Sequence, residues 1–337
     1  EAAYYLAQAG VGVDLYEMRP CRSTDAHKTD RLAELVCSNS FRDNSTMTAV
    51  GVLKREMRAM GSLVMKVADE VAVPAGSALA VDRVRFAEGV TAAVEGLDSV
   101  TIHRQELLDI PDGPVCIVAT GPLTSPELSR SLARFIGTEH LYFYDAISPI
   151  ITADSVDRTR TFRASRYNKG GDDYVNCPLD QETYEGFIDA LMEADKVPLK
   201  SFERCTYFEG CMPVEELARR GRDTLRFGPM KPVGLQPPDG SRPHAVVQLR
   251  QDDREGRLLS MVGFQTKMTY GEQRRVFRSI PGMEAAEFVR LGSLHRNTFI
   301  NSPRALTREL MVRGSRGVFV AGQLVGVEGY VESAASG

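Results

Sequence analysis

Hydrophobic and polar positions change period several times along the chain, and each change predicts an element. In EAAYYLAQAG (1–10), Ala2, Tyr5, Leu6 and Ala9 recur at helical spacing, and Gly10 suits a helix C-terminus. The next stretch, VGVDLYE (11–17), alternates, with Val11, Val13 and Leu15 on one side of a strand that closes on Glu17. PVCIVATGP (114–122) is an apolar run, a buried strand that ends in a Thr120-Gly121 turn. Helical period returns in ETYEGFIDALMEA (182–194), where Tyr184, Phe187, Ile188 and Leu191 share a face. HAVVQLR (244–250) and LLSMVGFQ (258–265) are strand-like. GVFVAGQLVGVEGYVESAASG (317–337) predicts a strand, a glycine-spaced loop and a helix beginning near Glu332.

The order of these elements predicts a fold class. Helix, tight turn, strand and terminal acid form the second half of a Rossmann βαβ unit, in which Glu17, followed by Arg19, would meet a ribose hydroxyl. Gly322, Gly326 and Gly329 permit close backbone approach, and the helix after them offers free N–H groups to a phosphate or flavin carbonyl. With Thr120 and Gly121 after the middle strand and Gln323 and Glu332 in the last loop, the set is typical of FAD enzymes. The expected fold is α/β, a Rossmann-like FAD-binding domain of the two-dinucleotide-binding-domain flavoprotein type with an inserted α+β domain. Its expected limits are residues 1–154 for the first part of the FAD-binding domain, 155–305 for the insertion and 306–337 for the second part. The glycine-rich loop of such a unit is expected just ahead of Glu1, so the chain reads as an internal piece of a longer protein.

Composition narrows the class further. The 337 residues are 43% hydrophobic and 26% charged, enough for one large domain and a second unit, and no apolar run is long enough to span a membrane. A net charge of −4 requires any nucleic-acid surface to be local rather than global. The six cysteines, Cys21, Cys37, Cys116, Cys177, Cys205 and Cys211, have neither CxxC nor His/Cys zinc spacing. They read as reduced thiols, and no metal is expected.

Several longer stretches carry a resemblance. LAELVCSNSFR (32–42), AVGVLKREMR (49–58), VPAGSALAVDR (73–83), FEGCMP (208–213), RFGPMKPVGL (226–235), VVQLRQDD (246–253), HRNTFINSP (295–303) and the C-terminal AGQLVGVEGYVESAASG are similar, across essentially the whole chain, to bacterial folate- and FAD-dependent tRNA (uracil-5-)-methyltransferases. That resemblance implies a cytoplasmic enzyme that methylates carbon 5 of the T-loop uridine in tRNA. The methylene would come from methylenetetrahydrofolate through reduced FAD, with NADH or NADPH supplying electrons. The same chemistry on a ribosomal RNA uridine, or a non-enzymatic flavin-dependent RNA-binding protein, stands as the alternative.

Carbon 5 of uracil is a poor nucleophile until a thiolate adds to carbon 6. By resemblance Cys211 is that nucleophile and Cys37 a proton-handling partner near the flavin. From the residues alone, each could equally be packing. Pro213 suits the first turn of a helix, whose positive end would favour a Cys211 thiolate, while Glu209 would oppose it. Cys116 and Cys177 are expected to be structural, as is Cys205. His295, Arg296, Asn297 and Asn301 are candidates for folate or flavin contacts, with Arg250 and Gln251 behind them. For RNA, the candidates are Arg219, Arg220 and Arg222; Arg274, Arg275 and Arg278; and Arg158, Arg160, Arg163, Arg166 and Lys169, with Phe162 and Tyr167 as stacking rings.

Overall fold

The computed structural model describes residues 1–24, 26–113, 115–137, 141–198, 207 and 209–337, with the side chains of 141–144, Glu209 and Arg296 left aside. Cys205 lies outside these residues.

The first helix, Ala2–Gln8, turns through Gly10 in the left-handed region into the strand Val13–Glu17. That strand pairs in parallel with Val100–Arg104, from Val13↔Val100 to Glu17↔Arg104. Leu15, Val100 and Ile102 pack on a core of Phe41, Met65, Val67, Phe86 and Val90, which also receives Val331 from the end of the chain. A second parallel pair joins Cys116–Val118 to Val318–Val320. Leu132, Ile300, Leu306 and Leu324 fill the core around it. Cys116 is only half-buried here, less enclosed than the apolar run predicts.

Between these elements lies a six-stranded sheet, antiparallel throughout, in the order Phe288–Arg290, Ile150–Thr152, Leu258–Met261, Ala245–Gln251, Tyr174–Leu179, Phe162–Arg163. Helix Gln181–Glu193 covers it. Asp180 caps the helix by accepting from the Thr183 amide at 2.8 Å, and Tyr184, Phe187, Ile188 and Leu191 are all buried. Thus the 3.6 period of 182–194 became a helix packed on Val175, Cys177, Leu249 and Met261. The strands Leu141–Ala146 and Leu294–Phe299 form an antiparallel pair on either side of this sheet in sequence. We propose that the inserted unit leaves and rejoins the first unit at this pair. Among the described residues, no helix is long and apolar enough to cross a membrane.

A candidate active site around two cysteines

Cys37 lies in the loop before strand Ser40–Asp43, and Cys211 ends the short turn Glu209–Cys211 ahead of helix Val214–Arg219. The fold brings them within hydrogen-bonding reach of one another. Tyr330, 293 positions from Cys37, completes the group. Its hydroxyl accepts from the Cys37 amide at 3.1 Å and the Ser38 amide at 3.3 Å, which frees its proton for Cys37 Sγ at 3.0 Å. Hydrogen bonding from Cys211, against the opposing cost of burial and with help from Tyr330 and the Arg83 guanidinium, lowers the Cys37 thiol to about 6. Cys211 is pushed the other way, first by its bond to Cys37, then by burial and by Asp145. The two thiols titrate as a pair, in which Cys37 is the more readily ionised and Cys211 the less.

The helix gives the expected Cys211 thiolate little support. The helix has six residues and starts three positions after the cysteine, too far and too short to outweigh an adjacent thiolate. The acid that opposes ionisation is Asp145, which the sequence analysis did not single out. Burial, then the Cys37 charge, raises its carboxyl to about 7, and its Oδ1 is buried without a hydrogen-bond partner. The available signal was an acid inside the apolar strand YFYDAISPII.

Tyr330→Phe keeps the ring packed against Phe41 and removes the hydroxyl. A donor to the thiolate is lost, so Cys37 should titrate higher than about 6. Iodoacetamide alkylation of Cys37, resolved by mass, should then reach half its maximal rate at a higher pH than in the wild type. An unmoved midpoint would remove Tyr330 from the account.

The predicted cofactor residues cluster at strand ends. Ala321 N donates to Val118 O at 3.0 Å, so the Thr120-Gly121 turn and the Gly322-Gln323 turn lie side by side at the carboxyl ends of their parallel strands. Thr120 Oγ1 bonds Thr124 Oγ1 at 2.7 Å, and Gly121, Gly322 and Gly326 all have positive φ. Gly329 caps helix Tyr330–Ser336, which begins two residues earlier than expected. A Cβ at Gly329 would collide with the Glu332 carboxylate. Glu332 pairs with Arg42 through one oxygen and leaves Oε2 buried and unpartnered. Glu17 already accepts three bonds from Arg19, from N, Nε and Nη2, each at 2.9 Å. Of the roughly four acceptor positions of a carboxylate, that leaves about one for a ribose hydroxyl.

The substrate candidates divide into two groups. His295 stands opposite Asp145 in the Leu141–Ala146 pairing and shares a 2.8 Å hydrogen bond with Ser293 Oγ. Asn297, on the same strand, is buried with Nδ2 unpartnered. Asn301 precedes the short helix Ser302–Ala305, where Ile300 N donates to Leu324 O beside the Gly326 turn. Arg296 contributes described backbone only, paired with Tyr144.

The basic clusters fare differently. Arg219 is paired with Glu216 at 3.1 Å and sits at the end of its helix away from Cys211; Arg220 follows it, exposed. Arg222 binds Glu185 and Asp189. Arg275 binds Glu272, Arg278 binds Ala286 O, and Arg166 binds the carbonyls of Lys231 and Val233. Phe162 is buried against Leu235 and Val246, which removes it as a stacking ring.

Comparison with known proteins gives this geometry a family. The profile described as glucose inhibited division protein A matches residues 1–337. The methylenetetrahydrofolate–tRNA-(uracil-5-)-methyltransferase of Natranaerobius thermophilus is 57% identical over all of this chain and 78% of its own length. The protein of the same name from Geobacter sulfurreducens is 58% identical over the same shares. The chain belongs to this methyltransferase family. A crystal structure of Aquifex aeolicus GidA, form II, superposes with a TM-score of 0.72 over 99% of the chain at 17% identity, which shows the same fold. The chain spans 59% of that GidA and about four-fifths of the methyltransferase relatives. In those family terms, LVCSNSFR and FEGCMP are the segments that bring the two thiols together.

Proposed function

We propose that the protein is a folate- and FAD-dependent methyltransferase acting on carbon 5 of the T-loop uridine of tRNA. The observation that carries this reading is the Cys37–Cys211 pair, two thiols within hydrogen-bond reach of one another, with Tyr330 bonded to Cys37 at the start of the helix that follows the glycine turns. Its family membership and the printed names of relatives at 57–58% identity support the folate and tRNA assignments.

The residues present suit the cofactors. Gly322 and Gly326 leave backbone room for FAD, with Thr120, Gly121 and Gln323 beside them. The buried Asn297 and Asp145 side chains lie close enough to act on one another, and Asn297 Nδ2 and Asp145 Oδ1, neither in a well-formed bond, offer a donor and an acceptor to a ring bearing amide-type groups, such as folate. When bound, FAD and methylenetetrahydrofolate supply the methylene carbon and the electrons that convert it to methyl, with NADH or NADPH as the ultimate reductant.

The chain's own residues handle protons and the nucleophile. As Cys211 Sγ forms its bond to carbon 6, its proton passes to the Cys37 thiolate within hydrogen-bond reach. The carbon 5–carbon 6 π electrons move onto carbon 5 and O4. Asp145, with a carboxyl near 7, takes the proton that carbon 5 later gives up. Cys37 returns its proton to Cys211 when the carbon 6–sulfur bond breaks.

The test uses the enzyme at the full length of its relatives, with FAD, methylenetetrahydrofolate and NADH. Transcripts of tRNA and of ribosomal RNA are assayed separately for 5-methyluridine. Methylation of the tRNA T-loop alone is expected. Product on ribosomal RNA alone would overturn the substrate assignment, and product on neither would overturn the reaction.

A further inference from the structure

Cys37, which bonds Tyr330, also lines a cavity of about 240 Å³. Its lining comes mostly from residues between 148 and 265 and includes Arg83, Ser148, Gly210 next to Cys211, Arg250 and Gln265. None of the predicted cofactor residues lines it, so the cavity is separate from the cradle. Its volume is below the ~300–1,000 Å³ of pockets for drug-sized ligands and suits a single small ring.

The charge in this cavity is unusual. Arg83 bonds Asp252 through Nε and Nη2, both at 2.9 Å. Arg250, buried, bonds only neutral oxygens, Asn39 Oδ1 at 2.8 and 3.1 Å and Ser38 Oγ at 3.0 Å. Arg290, behind them, bonds the Val36 carbonyl. Glu34, which also acts on Arg290, is committed to Arg19. Three guanidiniums thus face one contacting carboxylate, with Cys37 in the cavity wall as the other group that can carry negative charge, which leaves the cavity net positive. Gln265 lines the same cavity, and its carboxamide makes no hydrogen bond among the described residues.

We propose that this cavity receives the pyrimidine ring extruded from RNA, with Gln265 bonding its CO–NH–CO edge and Arg83 and Arg250 stabilising negative charge on O4. The inference rests on the function proposed above and names the residues that recognise its substrate base. Addition of a thiolate to carbon 6 forms one S–C bond and shifts the ring's π electrons toward O4. The guanidiniums stay protonated and meet the developing oxyanion as fixed donors. Specificity follows from the same geometry. A guanidinium has donors and no acceptor, so it favours the 4-oxo group of uracil over the 4-amino group of cytosine. An amide alone could not do this, because turning it over would match either ring. Base extrusion supplies the access.

The flavin's own pyrimidine ring carries the same CO–NH–CO edge, so the test separates the two occupants. The full-length, flavin-loaded enzyme is incubated with a T-loop hairpin carrying 5-fluorouridine at the target position, and the covalent protein–RNA adduct is quantified by mass. Gln265→Leu should cut the rate of adduct formation about 10- to 100-fold, with flavin content unchanged. Arg250→Lys should slow adduct formation without weakening hairpin binding. Wild-type adduct rates in Gln265→Leu would overturn the proposal. So would loss of flavin in place of loss of adduct, which would assign the cavity to the cofactor. Gln265 holds no other side chain, so its variant remains decisive if Arg250→Lys fails to fold. An enzyme that forms the adduct yet makes no 5-methyluridine would sink the proposed reaction while leaving the pocket intact.

Discussion

Cys211→Ala should lower 5-methyluridine formation by at least about 10⁴-fold, the scale seen when a covalent nucleophile is deleted, while the protein stays folded and retains FAD. The side chain is only half-buried, and its thiol contributes little packing, so truncation leaves a small void. Cys37→Ser should also lose activity, by the ~10²–10⁴-fold expected of a proton acceptor. The two variants differ in what remains. Without Cys211 there is no sulfur to add to carbon 6, and no adduct with 5-fluorouridine RNA should form at any pH. Without Cys37 the nucleophile remains but has lost the base that receives its proton. Its adduct should form slowly and faster as pH rises, because free hydroxide can then do what the Cys37 thiolate does near pH 7. Single-turnover methylation and adduct mass, measured across pH 6 to 9, distinguish the roles. Adduct in Cys211→Ala but none in Cys37→Ser would exchange the assignments.

That pairing shows how far the sequence could be read. Helix 182–194 and the strand at 13–17 were legible because each buries one face or one alternating side, and the strand at 245–251 because it is a short apolar run buried on both faces. The two reactive cysteines were legible as family motifs. Which of them is ionised was not, because it depends on Tyr330 and Asp145, brought in from distant segments. The helix-terminus reasoning for Cys211 used only local neighbours, and the charges that decide its state are not local. Glu17 shows the same limit: the acid at the strand end was legible, but not that the arginine two residues on occupies most of it. Among the arginines, a run of charge looks the same whether it faces solvent or is spent on carbonyls, as Arg166 and Arg278 are. The cavity of Arg83, Arg250 and Gln265 is built from three separated segments, and only the folded chain reveals it.

The largest effect on stability should come from Asp252→Ala. The turn after strand Ala245–Gln251 clamps onto the start of helix Arg83–Glu95 through three contacts. Asp252 takes both arms of Arg83, Asp82 Oδ2 accepts the Arg254 amide at 3.0 Å, and Glu255 meets Arg85 at 2.6 Å. Asn39 adds a bridge, donating to the carbonyls of Val81 and Gln251. The Asp252 side chain is 1% exposed and that of Arg83 15%, so deleting the carboxylate leaves a guanidinium desolvated and uncompensated. The expected loss is about 3–5 kcal/mol. Arg85→Ala removes an exposed pair in the same clamp and should cost less than ~1 kcal/mol. Urea unfolding of the two variants beside the wild type measures both. Equal, small losses would mean that the buried pair is no stronger than the surface one and that the clamp is held by its backbone bonds. The predicted order would mean that one ion pair both joins the inserted sheet to the first unit and holds Arg83 against the cavity. Its loss should then also slow adduct formation with 5-fluorouridine RNA, because Arg83 would no longer be fixed where O4 develops its charge.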